Sequence, residues 1–352
     1  VHVKNLRRTG AAAIVLAGFV GFTGPAHAQV QVPLVESGSS LLYPLFNLWV
    51  EGYTTVNPNA NITTTSTGSG AGIAQAIKGL INIGASDAYM SDSLVKANPT
   101  MLSIPLAISA QDINYNLPGV SKLNLSGPIL AGIYTGKITM WNDPAIAAAN
   151  PGVALPAHVI VPIHRLDGSG DTFIFSQYLA ASDPSWASTL KFGTTISWPA
   201  ISGELGAKGN AGMLAAAVAN PYSVAYIGIS YAGKVAAAGL GTAALQDKNG
   251  EYVLPTADNI QAAANSVVTS TPADERISMI FAAGSNAYPI VNYEYAVVDG
   301  NQPATAVAGA IRDFLTFCIG EGNDASYLKQ VNFLPLPAPI KALSAAQIAK
   351  IQ

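Results

Sequence analysis

The sequence predicts an α/β architecture in two lobes, and three observations carry that expectation. Apolar strand-like runs alternate with helical patterns along the chain, which favours largely parallel sheets connected by helices. At 352 residues, the chain is longer than one hydrophobic core usually organises, a limit near 250–300 residues. Half of it is hydrophobic and 11% is charged, the balance of a packed globule and not of a disordered chain.

The elements follow in order. Lys4, Arg7 and Arg8 precede an apolar run from Ala11 to Val20, and Ala26-His27-Ala28 closes it. That is the pattern of a secretory signal peptide over residues 1–28. The run is too short for a bilayer span of about 20 residues, so the exported chain is expected to be soluble. Between Ser40 and Tyr53 the residues Leu41, Leu42, Leu45, Phe46, Trp49 and Val50 mark one face of a helix. The strand-like segment Ala60–Thr67 leads to Gly68-Ser69-Gly70-Ala71-Gly72, and a short helix follows. Ile81 to Ser86 reads as a buried strand ending at Asp87. Further on, His158–Arg165 reads as a strand and Asp167–Gly170 as a turn. Phe173, Ile174, Gln177, Tyr178 and Ala181 then form the face of a helix capped by Asp171 or Thr172. No fixed-period repeat is visible.

Composition and motifs exclude several functions. The net charge is −3 and no basic run is interleaved with aromatics, so the footprint of a nucleic-acid binder is missing. The single cysteine, Cys318, cannot form an intramolecular disulfide and reads as a core thiol among Phe314, Leu315 and Phe317. A nucleophile elbow is absent at Ser69 and Ser169, because Thr67 and Asp167 stand where its first glycine belongs. Gly136-Lys137 continues with Ile138 and Gly233-Lys234 with Val235, so there is no nucleotide-binding P-loop. Beyond the leader only His158 and His164 remain, and neither is spaced with acidic residues as a metal ligand. No catalytic residue, metal or cofactor is expected.

What the sequence does offer is a repeated design. Gly38-Ser39-Ser40, Thr67-Gly68-Ser69-Gly70 and Asp167-Gly168-Ser169-Gly170-Asp171 each place small hydroxyl-bearing residues ahead of a helix. Unpaired N–H groups, close backbone approach and the helix dipole all favour an anion there. One such turn is also the ordinary makeup of loops and caps. Three of them, the last preceded by Arg165 with its fixed bidentate fork, point to a tetrahedral oxyanion. Asp87 and Asp171 would repel a fully ionised ligand, and they make sense if the ligand brings a proton for them to accept. That chemistry separates phosphate from sulfate, since a carboxylate facing sulfate would be buried and unpaired. Read by residue type alone, Asp87 would more commonly cap a helix or pair with a lysine. Asp167 is expected to hold Arg165.

The segments Glu36–Trp49, Thr65–Ile73, Asn82–Asp92, Ile133–Gly152 and His164–Leu179 together resemble the phosphate-binding receptors of Pst-type ABC importers, most closely their actinobacterial branch. Val224–Ser230 and Tyr288–Val298 extend the resemblance across nearly all of the chain beyond the leader. It implies a type II periplasmic-binding-protein fold, with dehydrated phosphate held between two α/β lobes. Lobe 1 would comprise 29–107 plus 288–352 and lobe 2 would comprise 108–287, with crossings near Pro105 to Ser109 and Ala287 to Ile290. Carried over position by position, the phosphate ligands are Ser39, Ser40, the backbone of Leu41, Ser69, Asp87, Arg165, Ser169, Gly170 and Asp171, with Asp167 in support. Asp171, where many relatives have threonine, should shift preference toward the doubly protonated ion, so that affinity weakens as pH rises through the ligand's own pKa. The implied partners are inorganic phosphate and the transmembrane permease subunits of the importer, with the receptor a monomer. Mycobacterial relatives carry a lipobox cysteine where this chain has Ala28 and Gln29, so a periplasmic or envelope-exterior protein without a lipid anchor is expected. A secreted phosphate-monoester hydrolase and a surface interaction protein with a vestigial anion site are the rival readings.

Overall fold

The longest strand explains the architecture. In the computed structural model, which describes residues 1–2 and 32–352, strand β4 (Met101–Tyr115) runs for 15 residues and is buried almost throughout. Met101 to Ala110 pairs antiparallel with the strand Val291–Asp299. Gln111 to Tyr115 pairs instead with the strand Ser223–Gly228. One continuous strand therefore carries two sets of neighbours. On one side of it the order is Asn61–Ser66 (β2), Pro33–Gly38 (β1), Ile83–Ser86 (β3), Val291–Asp299 and β4. On the other, Ser223–Gly228, Val161–Arg165 and Leu205–Ala207 follow in turn.

The expected parallel pairings occur within each group. β1 is parallel to β2 and β3, and Val161–Arg165 is parallel to both of its neighbours. β4 and the strand Val291–Asp299 run antiparallel, and β4 alone pairs with strands of both groups. Their register slips between Glu294 and Tyr295, opposite Ala107 and Pro105. A bulge is where a strand accommodates a proline, which has no N–H for the ladder.

Helices pack where the apolar periodicity placed them. Helix α1 (Tyr43–Val56) buries Leu45, Phe46 and Trp49. It begins three residues later than the periodicity suggested because Pro44 occupies its first turn, a position that suits a residue without an N–H. Helix α2 (Ser69–Ile77) follows β2, and the helix Gly170–Ser182 follows Val161–Arg165. Ser169 caps that last helix, its hydroxyl accepting from the Thr172 N–H at 3.2 Å. Asp171 and Thr172, expected at the cap, lie inside the first turn.

Trp49, Trp141 and Trp186 are fully buried. Each indole N–H reaches a backbone carbonyl, at 2.7, 2.9 and 2.7 Å, so the large aromatics are core with their one donor satisfied. Cys318 is a free, buried thiol. The packed unit spans Gln31–Gln352. The leader expected over 1–28 lies outside the described residues, apart from residues 1–2. Among the described residues, no helix is long and apolar enough to cross a membrane.

Candidate functional site

Four of the parallel strands deliver the predicted polar residues at or just beyond their carboxyl ends, which is where α/β sheets place ligands. β1 ends at Gly38 with Ser39 and Ser40 next, β2 leads into Ser69, β3 ends one residue before Asp87, and Val161–Arg165 ends on Arg165 itself. Ser39, Ser40, Ser69, Asp87, Arg165, Ser169 and Asp171 are all buried. Gly38 makes the first turn possible: its φ is +149°, and a Cβ there would lie 2.0 Å from the Ala85 carbonyl oxygen.

The side chains bond to one another. Ser39 donates to Asp87 Oδ1, and the same hydroxyl accepts from the Leu41 and Leu42 N–H groups at 3.0 Å each. Ser69 donates to Asp87 Oδ2 at 3.2 Å. Arg165 forks onto Asp167 through Nε, at 2.8 Å, and Nη2. Its Nη1 reaches Asp171 Oδ2 at 2.6 Å. Asp167 thus does hold the guanidinium, as its position in the sequence suggested. Asp171 is shared more widely than expected, because Gln111 donates to its Oδ1 at 3.1 Å and Asn210 to its Oδ2 at 2.8 Å.

Two contacts join the β1–β3 turns to the Arg165 loop. A Cβ added to Gly170 would lie 2.4 Å from Asp87 Oδ2 and 2.5 Å from Ser69 Oγ, so only glycine permits this approach. The Gly70 N–H donates to the Gly168 carbonyl at 2.9 Å. Ser40 meets Asn210, accepting from its backbone N–H at 3.0 Å and its side chain at 2.9 Å.

Electrostatics follow from crowding acids in a dry place. Burial and the charge of Asp171 push Asp87 up to about 7, against the hydrogen bond from Ser39 and the charge of Arg165. Burial raises Asp171 too, although Arg165, Gln111 and Asn210 oppose it. Asp167 is half-buried, and there Arg165 and the Gly209 N–H overcome burial and hold it below the usual carboxylate range. A group poised near neutrality accepts or yields a proton at little cost.

Sequence reasoning missed Asn210 and Gln111. Asn210 had a signal, since Gly209-Asn210-Ala211-Gly212 is a fourth small-residue turn, at the start of the helix Gly209–Ala219. Gln111 lies within β4 and had none. His164, half-buried beside Arg165, stacks on Trp198 with ring centroids 5.0 Å apart. No group of three or more metal-ligating residues occurs among the described residues.

Known proteins share this arrangement of chain. A PBP superfamily domain model matches residues 23–321. The phosphate-binding protein PstS of Methanocaldococcus jannaschii is 34% identical over 339 residues, covering 90% of this chain and 86% of that one. The phosphate-binding protein PstS 3 of Mycobacterium leprae is 32% identical over 337 residues, covering 91% and 88%. Among solved structures, an ABC-type phosphate transport receptor from Vibrio cholerae superposes with a TM-score of 0.56 at 19% identity, covering 86% of this chain and 100% of that one.

Proposed function

Because the chain belongs to the PBP superfamily and, within it, to the PstS phosphate-binding proteins, we propose that it binds inorganic phosphate outside the cytoplasm and delivers it to the permease of an ABC importer. One observation supports this reading most strongly: serine hydroxyls, helix amino ends and a single guanidinium converge, buried, on two carboxyls whose pKa values are raised. The donors answer the oxygens of phosphate and the carboxyls answer its hydrogens. Sulfate would satisfy only the first.

In this reading Ser39, Ser40, the Leu41 backbone, Ser69 and Asp87 take the ion from one lobe. Arg165, Ser169, Gly170 and Asp171 take it from the other, and Asp167 holds the guanidinium. Dehydrating the ion is costly, and a dense set of charge-assisted hydrogen bonds offsets it. The lobes are 29–107 with 288–352, and 108–287. The change of partner along β4 between Ala110 and Gln111 supports a hinge there, with the strand Val291–Asp299 as the return crossing. Closure over the ion then presents the shape that the permease recognises. The protein is a receptor without turnover, and Ala28-Gln29 supports free release over lipid anchorage.

Titration calorimetry and incubation with a phosphate monoester test the reading together. One phosphate bound per chain, no competition by excess sulfate and no released phosphate are expected. Turnover of the monoester, or displacement by sulfate at equal concentration, would overturn it.

A further inference from the structure

Among the described residues, Asn210 is the one side chain that hydrogen-bonds to predicted ligand residues of both groups of strands. It reaches Ser40, after β1, at 2.9 Å and Asp171, in the helix Gly170–Ser182, at 2.8 Å. It is fully buried, and the proposed function gives it no role. A third partner settles the direction of its bonds. The Gly228 N–H lies 2.7 Å from Asn210 Oδ1, and a backbone N–H only donates, so the atom facing it is the amide oxygen. The amide nitrogen therefore faces Ser40 and Asp171, with one proton for each.

The backbone adds a second bond to Ser40. Asn210 stands in the first turn of the helix Gly209–Ala219, whose preceding residue Lys208 supplies no side-chain cap. The first two N–H groups of that helix go elsewhere: Gly209 donates to Asp167 Oδ1 at 3.1 Å and Asn210 to Ser40 Oγ at 3.0 Å. Ser40 Oγ thus accepts twice. A hydroxyl has two lone pairs and one proton, so Ser40 keeps only its O–H to offer. Ser39 and Ser69 differ, because both donate to Asp87.

We infer that Asn210 is a positioning residue of the anion site, fixing Ser40 as a donor and Asp171 as an acceptor so that the pair answers an ion carrying both a bare oxygen and an O–H. The identity of that ion rests on the phosphate-receptor reading; the directions of the bonds do not.

The acceptor side closes in the same way. An amide NH2 only donates, so its bond to Asp171 Oδ2 requires a lone pair there. Arg165 Nη1 donates to the same oxygen at 2.6 Å, and Gln111 to Oδ1 at 3.1 Å. Of the about four lone-pair sites on a carboxylate, one remains for the O–H of a ligand. Ser40 belongs to one group of strands and Asn210 to the other, so Ser40 acquires its direction only where the two groups meet. A hydroxyl free to turn would donate or accept as the ligand required, and such a site discriminates less between anions.

Calorimetry with phosphate tests the linkage through a double-mutant cycle. Asn210→Ala and Ser40→Ala should each weaken binding by about tenfold, and the double variant should fall well short of the roughly hundredfold loss of two independent residues. Nitrogen-15 spectra recorded with phosphate present, the side-chain amide of Asn210 being assigned through its own backbone, give a second readout. They should show two slowly exchanging amide protons, of which Ser40→Ala shifts one and leaves the other. Additive losses, wild-type affinity in Asn210→Ala, or an amide whose resonances Ser40→Ala leaves unmoved would overturn the inference. If Asn210→Ala fails to fold, the spectra of the wild type and Ser40→Ala decide it. If the wild-type protein binds no phosphate, the receptor reading fails, while the same spectra still report the directions of the bonds.

Discussion

Asp87 is the residue whose chemistry the proposed selectivity turns on. Replacing it with asparagine keeps the shape and turns one acceptor oxygen into a donor. Phosphate affinity should fall by about tenfold or more, the scale of a hydrogen bond to a charged group, while sulfate binding should strengthen. Calorimetric titration of Asp87→Asn with both anions checks this, and equal weakening for the two would argue for a purely structural role. The sequence pointed to it by position and not by type: an aspartate alone more commonly caps a helix or pairs with a lysine, but this one ends an apolar run beside serine-rich turns. The buried Glu294 was not legible, since a single carboxyl inside the run Ile290–Val298 shows no periodicity that marks it. What identifies Glu294 is the set of atoms around it, drawn from strands more than a hundred residues apart in sequence.

At the scale of an element, the start of the helix Gly170–Ser182 both folds and faces the proposed ligand. Ser169 caps it through the Thr172 N–H, and Ser169→Ala should cost about 1 kcal/mol of stability, measured by urea unfolding of the ligand-free protein. Gly170→Ala should act differently. Alanine suits a helix better than glycine does, so far-ultraviolet circular dichroism should match the wild type. Its Cβ would nevertheless meet Asp87 and Ser69, and phosphate affinity should drop by about tenfold, the scale of an overpacked contact. A wild-type dissociation constant for Gly170→Ala would show that the two turns do not need to approach this closely. The helix itself was legible from its apolar face and its small-residue turn. The identity of its cap was not, because Ser169, Asp171 and Thr172 are all good caps and only backbone geometry chooses among them.

Across the whole molecule, buried carboxyls set a pH dependence of stability. Burial pushes Asp112 up to about 8. Burial likewise raises Glu275 to about 7, against bonds from Gln347 and Ser344. An acid whose pKa is raised in the folded state contributes stability that is complete below its unfolded pKa and is lost as pH rises through the folded one. The ligand-free protein should therefore lose thermal stability steadily as pH rises from about 4 to about 8, with the melting midpoint as the measurement. Asp112 Oδ1 has no hydrogen-bond partner, so Asp112→Asn should flatten that slope and raise the midpoint at the alkaline end. A midpoint that rises over this range would show that these carboxyls ionise freely in the folded chain.

The sequence by itself determined the alternation of strands and helices, the buried aromatic faces, the three polar turns and the arginine ahead of the third. Each of these is written in local periodicity or in residue types a few positions apart. Only the tertiary structure decided that β4 would divide its length between two sets of neighbours, that Asn210 and Gln111 would reach Asp171, and that Glu294 would be buried against Ser109 and Asn292. Those outcomes depend on which chain segments meet after the hydrophobic surfaces are buried. A polar atom's partner in a dry interior is fixed by that meeting and by the cost of leaving the atom unpaired.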